Sequence, residues 1–122
     1  MNIKMKRIYS EWEPDDGIRI LVDRLWPRGI KKEHAKIDHW PKALTPSNEL
    51  RKWYSHDVEH WGEFQRRYKT EIAAQPEQWR VLQQLIQEGT VTLLTASKHN
   101  DLNQVVVLKA LLEETEEFSQ ET

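Results

Sequence analysis

Ile20-Leu21-Val22-Asp23-Arg24-Leu25-Trp26-Pro27-Arg28-Gly29 runs an uninterrupted apolar triplet straight into an acid, two arginines and a tryptophan. A strand covered on both faces reads as a continuous apolar run, whereas a strand with one wet face alternates. The triplet therefore predicts an interior strand ending at Asp23, in an α/β domain whose ligands bind outside the carboxyl ends of the strands.

Working outward, Thr90 to Ala96 is β-branched and apolar and predicts a second buried strand. Ile3 to Tyr9 alternates Ile3 and Met5 with Lys4 and Lys6, a further strand. Glu13 to Gly17 supplies turn chemistry before the strand that starts at Gly17 or Ile18. The connection from Ser10 to Gly17 is only eight residues, shorter than the usual parallel crossover, so spacing alone favours an antiparallel first pair. A short strand is expected from Ile37 to Trp40.

Helical periods occupy the rest of the chain. Ser47 or Asn48 can cap a helix reaching Tyr54. From Asp57 a longer helix places Trp61, Phe64, Tyr68 and Ile72 on one stripe. Pro76 opens another, with Trp79, Leu82, Leu85 and Ile86 as its stripe and Gly89 as a left-handed cap. Asp101 or Asn103 can cap a last helix through Val105, Leu108, Leu111 and Leu112. The fold class is a three-layer α/β/α domain with a short, mostly parallel or mixed sheet of three to four strands and helices on both faces. Residues 1–118 form the domain and 119–122 a frayed acidic tail.

Composition narrows the chemistry. With no cysteine among 122 residues, disulfides, thiolate nucleophiles and cysteine-ligated zinc are excluded. No signal peptide and no run of 18 apolar residues is present, which points to a cytoplasmic protein with no membrane partner. The net charge of −2 divides unevenly, because the stretch from Ala110 to Thr122 carries five glutamates and no lysine or arginine. The remainder is mildly basic, well short of the basic face of a dedicated nucleic-acid binder. With four glycines and none in a GxGxxG or GxxxxGK arrangement, dinucleotide and P-loop readings fail, and no cofactor is expected.

The candidate site follows from the strand ends. If both buried strands run the same way, Asp23, Arg24, Trp26 and Arg28 leave one carboxyl end and Lys98 the other, above the N-terminus of the last helix near Asn103. Guanidinium forks and helix-end amides suit an anion, and a nucleotide or phosphorylated metabolite fits best. Asp23 and His56 are the candidate proton-transfer groups, His56 being oriented by Asp57. His56 and His60 stand four apart, but Asp57 reads as a helix cap that leaves His56 outside the helix, and no third ligand follows, so no metal site is expected. The rival reading is a non-catalytic interaction or homodimer module, since tryptophan and arginine dominate interface hot spots.

DGIRILVDRLWPRG from Asp16 to Gly29, ELRKWYSHD from Glu49 to Asp57, the Leu93 to Lys98 segment and VVLK from Val106 to Lys109 together resemble the YeaO-like branch of the domain-of-unknown-function 488 family. The resemblance implies a small cytoplasmic α/β protein of a family with no established activity. It also implies, through another branch, that the Ser10 to Gly17 loop replaces a crossover helix and that the first two strands are parallel. The family usually has tyrosine where Thr95 stands and His-Asn-Asn where Leu102, Asn103 and Gln104 stand; if that histidine is catalytic, this chain lacks it.

Overall fold

In the computed structural model, which describes residues 2–55, 57–98 and 102–120 with side chains through Thr115, the strand expected around Thr90 to Ala96 lies at the centre of the sheet. β1 (Ile3–Arg7) and β2 (Ile18–Leu21) flank β3 (Val91–Thr95), and both pair with it in parallel. Met5 and Ile20 both stand opposite Leu93. A single parallel bridge between Ile20 and His39 extends the β2 edge, within the stretch where a short strand was expected.

The antiparallel first pair suggested by loop length is therefore corrected to a parallel one, as the resemblance implied. Its premise fails because β1 and β2 are not neighbours. Ten residues, 8–17, return the chain past β3, and extended backbone covers up to about 3.3–3.6 Å per residue, ample for retracing a five-residue strand. The link is held down by the side chains that looked like a simple alternation. Lys4 Nζ donates to Asp15 O at 3.0 Å, Lys6 Nζ to Asp16 Oδ1 at 3.0 Å, and Thr92 Oγ1 to Asp16 O at 2.7 Å. Asp16 is buried and pairs with buried Arg19, whose guanidinium also donates to Ala35 O and Lys36 O. Gly17 closes the link at φ 67°, where an added Cβ would lie 2.1 Å from Thr90 O. No other residue fits that approach.

Alternation along the strands separates two faces. Ile20, Val22, Val91 and Leu93 join the larger apolar cluster, with Leu50 and Tyr54 of α2 (Asn48–Tyr54), Phe64, Tyr68 and Ile72 of α3 (Trp61–Ala73), Leu82 and Ile86 of α4 (Pro76–Glu88) and Leu108 and Leu112 of α5 (Gln104–Gln120). Ile8, Leu21 and Leu94 form a second cluster beneath Trp26, Ile30, Ile37 and Trp40, on either side of the one-turn helix α1 (Lys32–Ala35). The domain is α/β, with helices packed around a short parallel sheet.

Helix ends follow local chemistry. Ser47 Oγ accepts the Leu50 amide at 3.1 Å and caps α2. Asp57 accepts the Glu59 amide, capping a single 3₁₀ turn that runs into α3. Asn103 Oδ1 accepts the Val105 amide at 2.8 Å at the start of α5, while Asp101, the other proposed cap, lies outside the described residues. Gly89 ends α4, but at φ 155° and ψ −156°, so the expected left-handed cap is corrected to an extended exit into β3. The helix α5 runs to Gln120, and the last two residues of the expected tail lie outside the described residues. No helix among the described residues is long and apolar enough to cross a membrane.

Candidate functional site

Because all three strands run the same way, their carboxyl ends share one edge of the sheet, and Asp23 sits where β2 leaves it. Its carboxylate is turned toward β3 and α5. Oδ1 accepts Thr95 Oγ1 and Gln104 Nε2, each at 2.7 Å, and Oδ2 accepts the Ala96 amide at 2.7 Å. The Gln104 amide also reaches Val22 O at 3.0 Å, and the Trp40 indole donates to Asp23 O at 2.6 Å. Burial pushes the Asp23 carboxyl above the ordinary carboxylate range, against the opposing pull of Thr95, the Ala96 amide, the Arg51 charge and Gln104.

The loop after Asp23 divides its cations into two kinds. Arg24 is committed: Nε donates to Pro46 O at 3.0 Å and Nη2 to Thr45 O at 3.3 Å, pinning the segment ahead of α2. Arg28 is exposed, and its side chain has no ion-pair partner among the described residues. Its carbonyl accepts the Tyr9 hydroxyl at 2.9 Å. Trp26 is half-buried over the second cluster, edge-on to Trp40 at 5.3 Å, with its indole N–H on Ile30 O at 2.6 Å.

These residues border a cleft of about 410 Å³. Asp23, Arg24, Trp26 and Arg28 line it together, with Arg51, Tyr9, Tyr54, Phe64, Thr95 and Gln104 among the rest of its wall. Arg51 reaches it from α2, held by Asn48 Oδ1 at 3.1 Å. Three arginines and one carboxylate thus line the cleft among the described residues. Lys98 is exposed and does not line this cleft. Asn103 is buried as the α5 cap and faces a separate groove on the β1 side. His56 lies outside the described residues, and its expected partner Asp57 contacts His60 Nδ1 at 3.3 Å. No group of three metal-ligating side chains occurs among the described residues.

Sequence reasoning missed Tyr9, Arg51, Thr95 and Gln104 as members of the site. Tyr9 was hidden by the antiparallel reading, which sends the end of β1 to the opposite edge of the sheet. Thr95 and Gln104 were visible only as departures from a family pattern, yet both hold the Asp23 carboxylate. Arg51 lay inside a quoted motif, with no local signal for its direction.

The model of the inactive DUF488-N3 subclade matches residues 2–122. The chain belongs to this family. Among members of similar sequence, the uncharacterised protein YeaO of Escherichia coli (strain K12) is 43% identical over 108 residues, covering 88% of this chain and 94% of that protein. The uncharacterised proteins Mb3100c of Mycobacterium bovis and Rv3073c of Mycobacterium tuberculosis are each 41% identical over 113 residues, covering 90% of this chain and 92% of theirs. No solved structure matches. Within the DUF488-N3 fold as this chain builds it, the described residues that line the cleft at the strand ends include three arginines, one carboxylate and four aromatic rings.

Proposed function

We propose that this chain is a non-catalytic binding module for a small phosphorylated or carboxylate anion held in the cleft by Arg28 and Arg51. The observation that carries the reading is the convergence of three arginines on a cleft where Asp23, the one carboxylate lining it among the described residues, already accepts three hydrogen bonds. A carboxylate has about four lone-pair sites, so Asp23 has little left to offer a substrate proton and acts as a clamp between strand ends. Arg28 and Arg51 are the forks left for a ligand, because Arg24 is spent on two carbonyls. The description of the family as inactive points the same way.

The test is calorimetric titration of inorganic phosphate, pyrophosphate and small di- and tricarboxylates into wild type, Arg28→Ala and Arg51→Ala. Binding by wild type, weakened at least tenfold in either variant with melting temperature kept, is the expected result. Equal binding by all three proteins, or by none, removes the proposal.

A second reading has one specific observation behind it. Leu25 is 60% exposed on the loop that also carries Trp26 and Arg28, and tryptophan and arginine are enriched where a second copy would dock. Sedimentation of wild type and Leu25→Asp distinguishes it: a dimer lost in the variant favours the contact, and a monomer in both removes it.

A further inference from the structure

We propose that the anion taken by this cleft carries an aromatic base, and that Tyr9 is the platform on which the base stacks, so that the ligand class is a nucleoside phosphate. The inference rests on the anion-binding reading above.

Among the described residues four aromatic side chains line the cleft, and three are occupied by the fold. Tyr54 and Phe64 are buried and stacked on each other at 4.3 Å. Trp26 is packed edge-on against Trp40 with its N–H bonded. Tyr9 is 48% exposed, the most open ring of the four. It is also fixed at two points before any ligand arrives. Its hydroxyl donates to Arg28 O at 2.9 Å, and the Arg7 guanidinium lies over its ring at 5.1 Å. Arg7 is itself anchored to Ser97 O at 3.1 Å and Ala96 O at 3.3 Å.

A ring held in place in advance loses little freedom when a ligand stacks on it, which is the condition under which stacking converts to affinity. The hydroxyl tether ties the platform to the residue that carries the free guanidinium, so ring and charge share one rim. The cleft volume of about 410 Å³ falls in the ordinary range for a small-molecule site. Stacking is tolerant of base identity, so the platform selects for a base and not among bases.

The experiment titrates adenosine, guanosine, cytidine and uridine 5′-monophosphates alongside ribose 5-phosphate and inorganic phosphate, into wild type, Tyr9→Leu, Tyr9→Phe and Arg28→Ala. In wild type at least one nucleotide binds about tenfold tighter than ribose 5-phosphate, the scale of one base stack. Tyr9→Leu loses that advantage and keeps the ribose 5-phosphate affinity, whereas Tyr9→Phe, with the ring still under Arg7 but without the hydroxyl tether, keeps part of the advantage. Nucleotides that bind no better than ribose 5-phosphate, or an advantage that survives Tyr9→Leu, overturn the platform. The anion reading then still stands if ribose 5-phosphate binds wild type and not Arg28→Ala. Wild type that binds none of the six compounds overturns both.

Discussion

The Ala96 amide donates to the Asp23 carboxylate at 2.7 Å, joining the chain leaving β3 to the chain leaving β2. An amide has only one accepting oxygen, so Asp23→Asn leaves at least one of the Thr95, Ala96 or Gln104 donors without its acceptor. The expected loss is about 1–3 kcal/mol, read from the urea midpoint. An unchanged midpoint would mean that the clamp contributes nothing to the fold.

Asp16 governs the acid limb of stability. Burial opposes its charge, but the Glu13 amide, Lys6 and Arg19 outweigh that and hold the carboxyl below the ordinary 3.8. A depressed folded value contributes stability above the unfolded pKa, lost as pH falls through the folded value. Asp23 works in the opposite sense: its raised value contributes stability that is complete below 3.8 and is lost as pH rises through the folded value above it. Asp16→Asn is expected to cost about 3 kcal/mol at pH 7 by stranding the buried Arg19 charge, and to flatten the melting-temperature profile below pH 4. A variant profile parallel to wild type would refute the assignment.

Lys6 sets the alkaline side. Burial works against its charge, yet hydrogen bonds to Asp16 and Glu13 with their charges raise it above 10.5. Its stabilisation is complete below that value and is lost as pH rises through the folded one. Lys6→Met is expected to melt earlier at pH 8, with the gap to wild type narrowing above pH 11. A gap that stays constant across that range would count against it.

The glycines at 17 and 29 separate crowding from strain. Gly17→Ala meets Thr90 O at 2.1 Å at φ 67°, while Gly29→Ala, at φ 81°, has open space. Gly29→Ala is expected to cost about 1–2 kcal/mol, the left-handed penalty alone, and Gly17→Ala to exceed it by at least about 2 kcal/mol because backbone must move. Similar chemical-denaturation midpoints for the two would show that the link at Gly17 yields easily.

Arg24 and Arg28 are expected to part company. Arg24→Lys loses the two-carbonyl grip and destabilises by about 1–2 kcal/mol, with anion affinity falling less than threefold. Arg28→Ala does the reverse, keeping the melting temperature and losing affinity. Calorimetry and thermal unfolding on the same two proteins check both halves.

Much of the fold was legible because it is local. The apolar triplet at Ile20 to Val22, the stripe of Phe64, Tyr68 and Ile72, and the Ser47 cap each write their structure within a few residues. Strand direction was not, because Lys4 and Lys6 encode it through partners eleven and ten residues away, at Asp15 and Asp16. The site was half legible for the same reason. Asp23 to Arg28 is contiguous, but Tyr9, Arg51 and Gln104 reach the cleft from three separate elements, and Asn103 sits beside Gln104 in sequence while facing a different groove.

The central place of β3 has a consequence for how the chain is made. β1 and β2 each hydrogen-bond to β3 and not to each other, and β3 comprises residues 91–95 of 122. During synthesis, β1 and β2 are made before the strand with which both pair, and until Val91 emerges β2 has only the isolated bridge from Ile20 to His39. Helical segments can form early, but the sheet waits for its central strand, which inserts between two strands made before it. A nascent chain stalled before Val91 therefore leaves uncovered the edges of β1 and β2 that β3 will occupy, and an unpaired strand edge is a template for another chain.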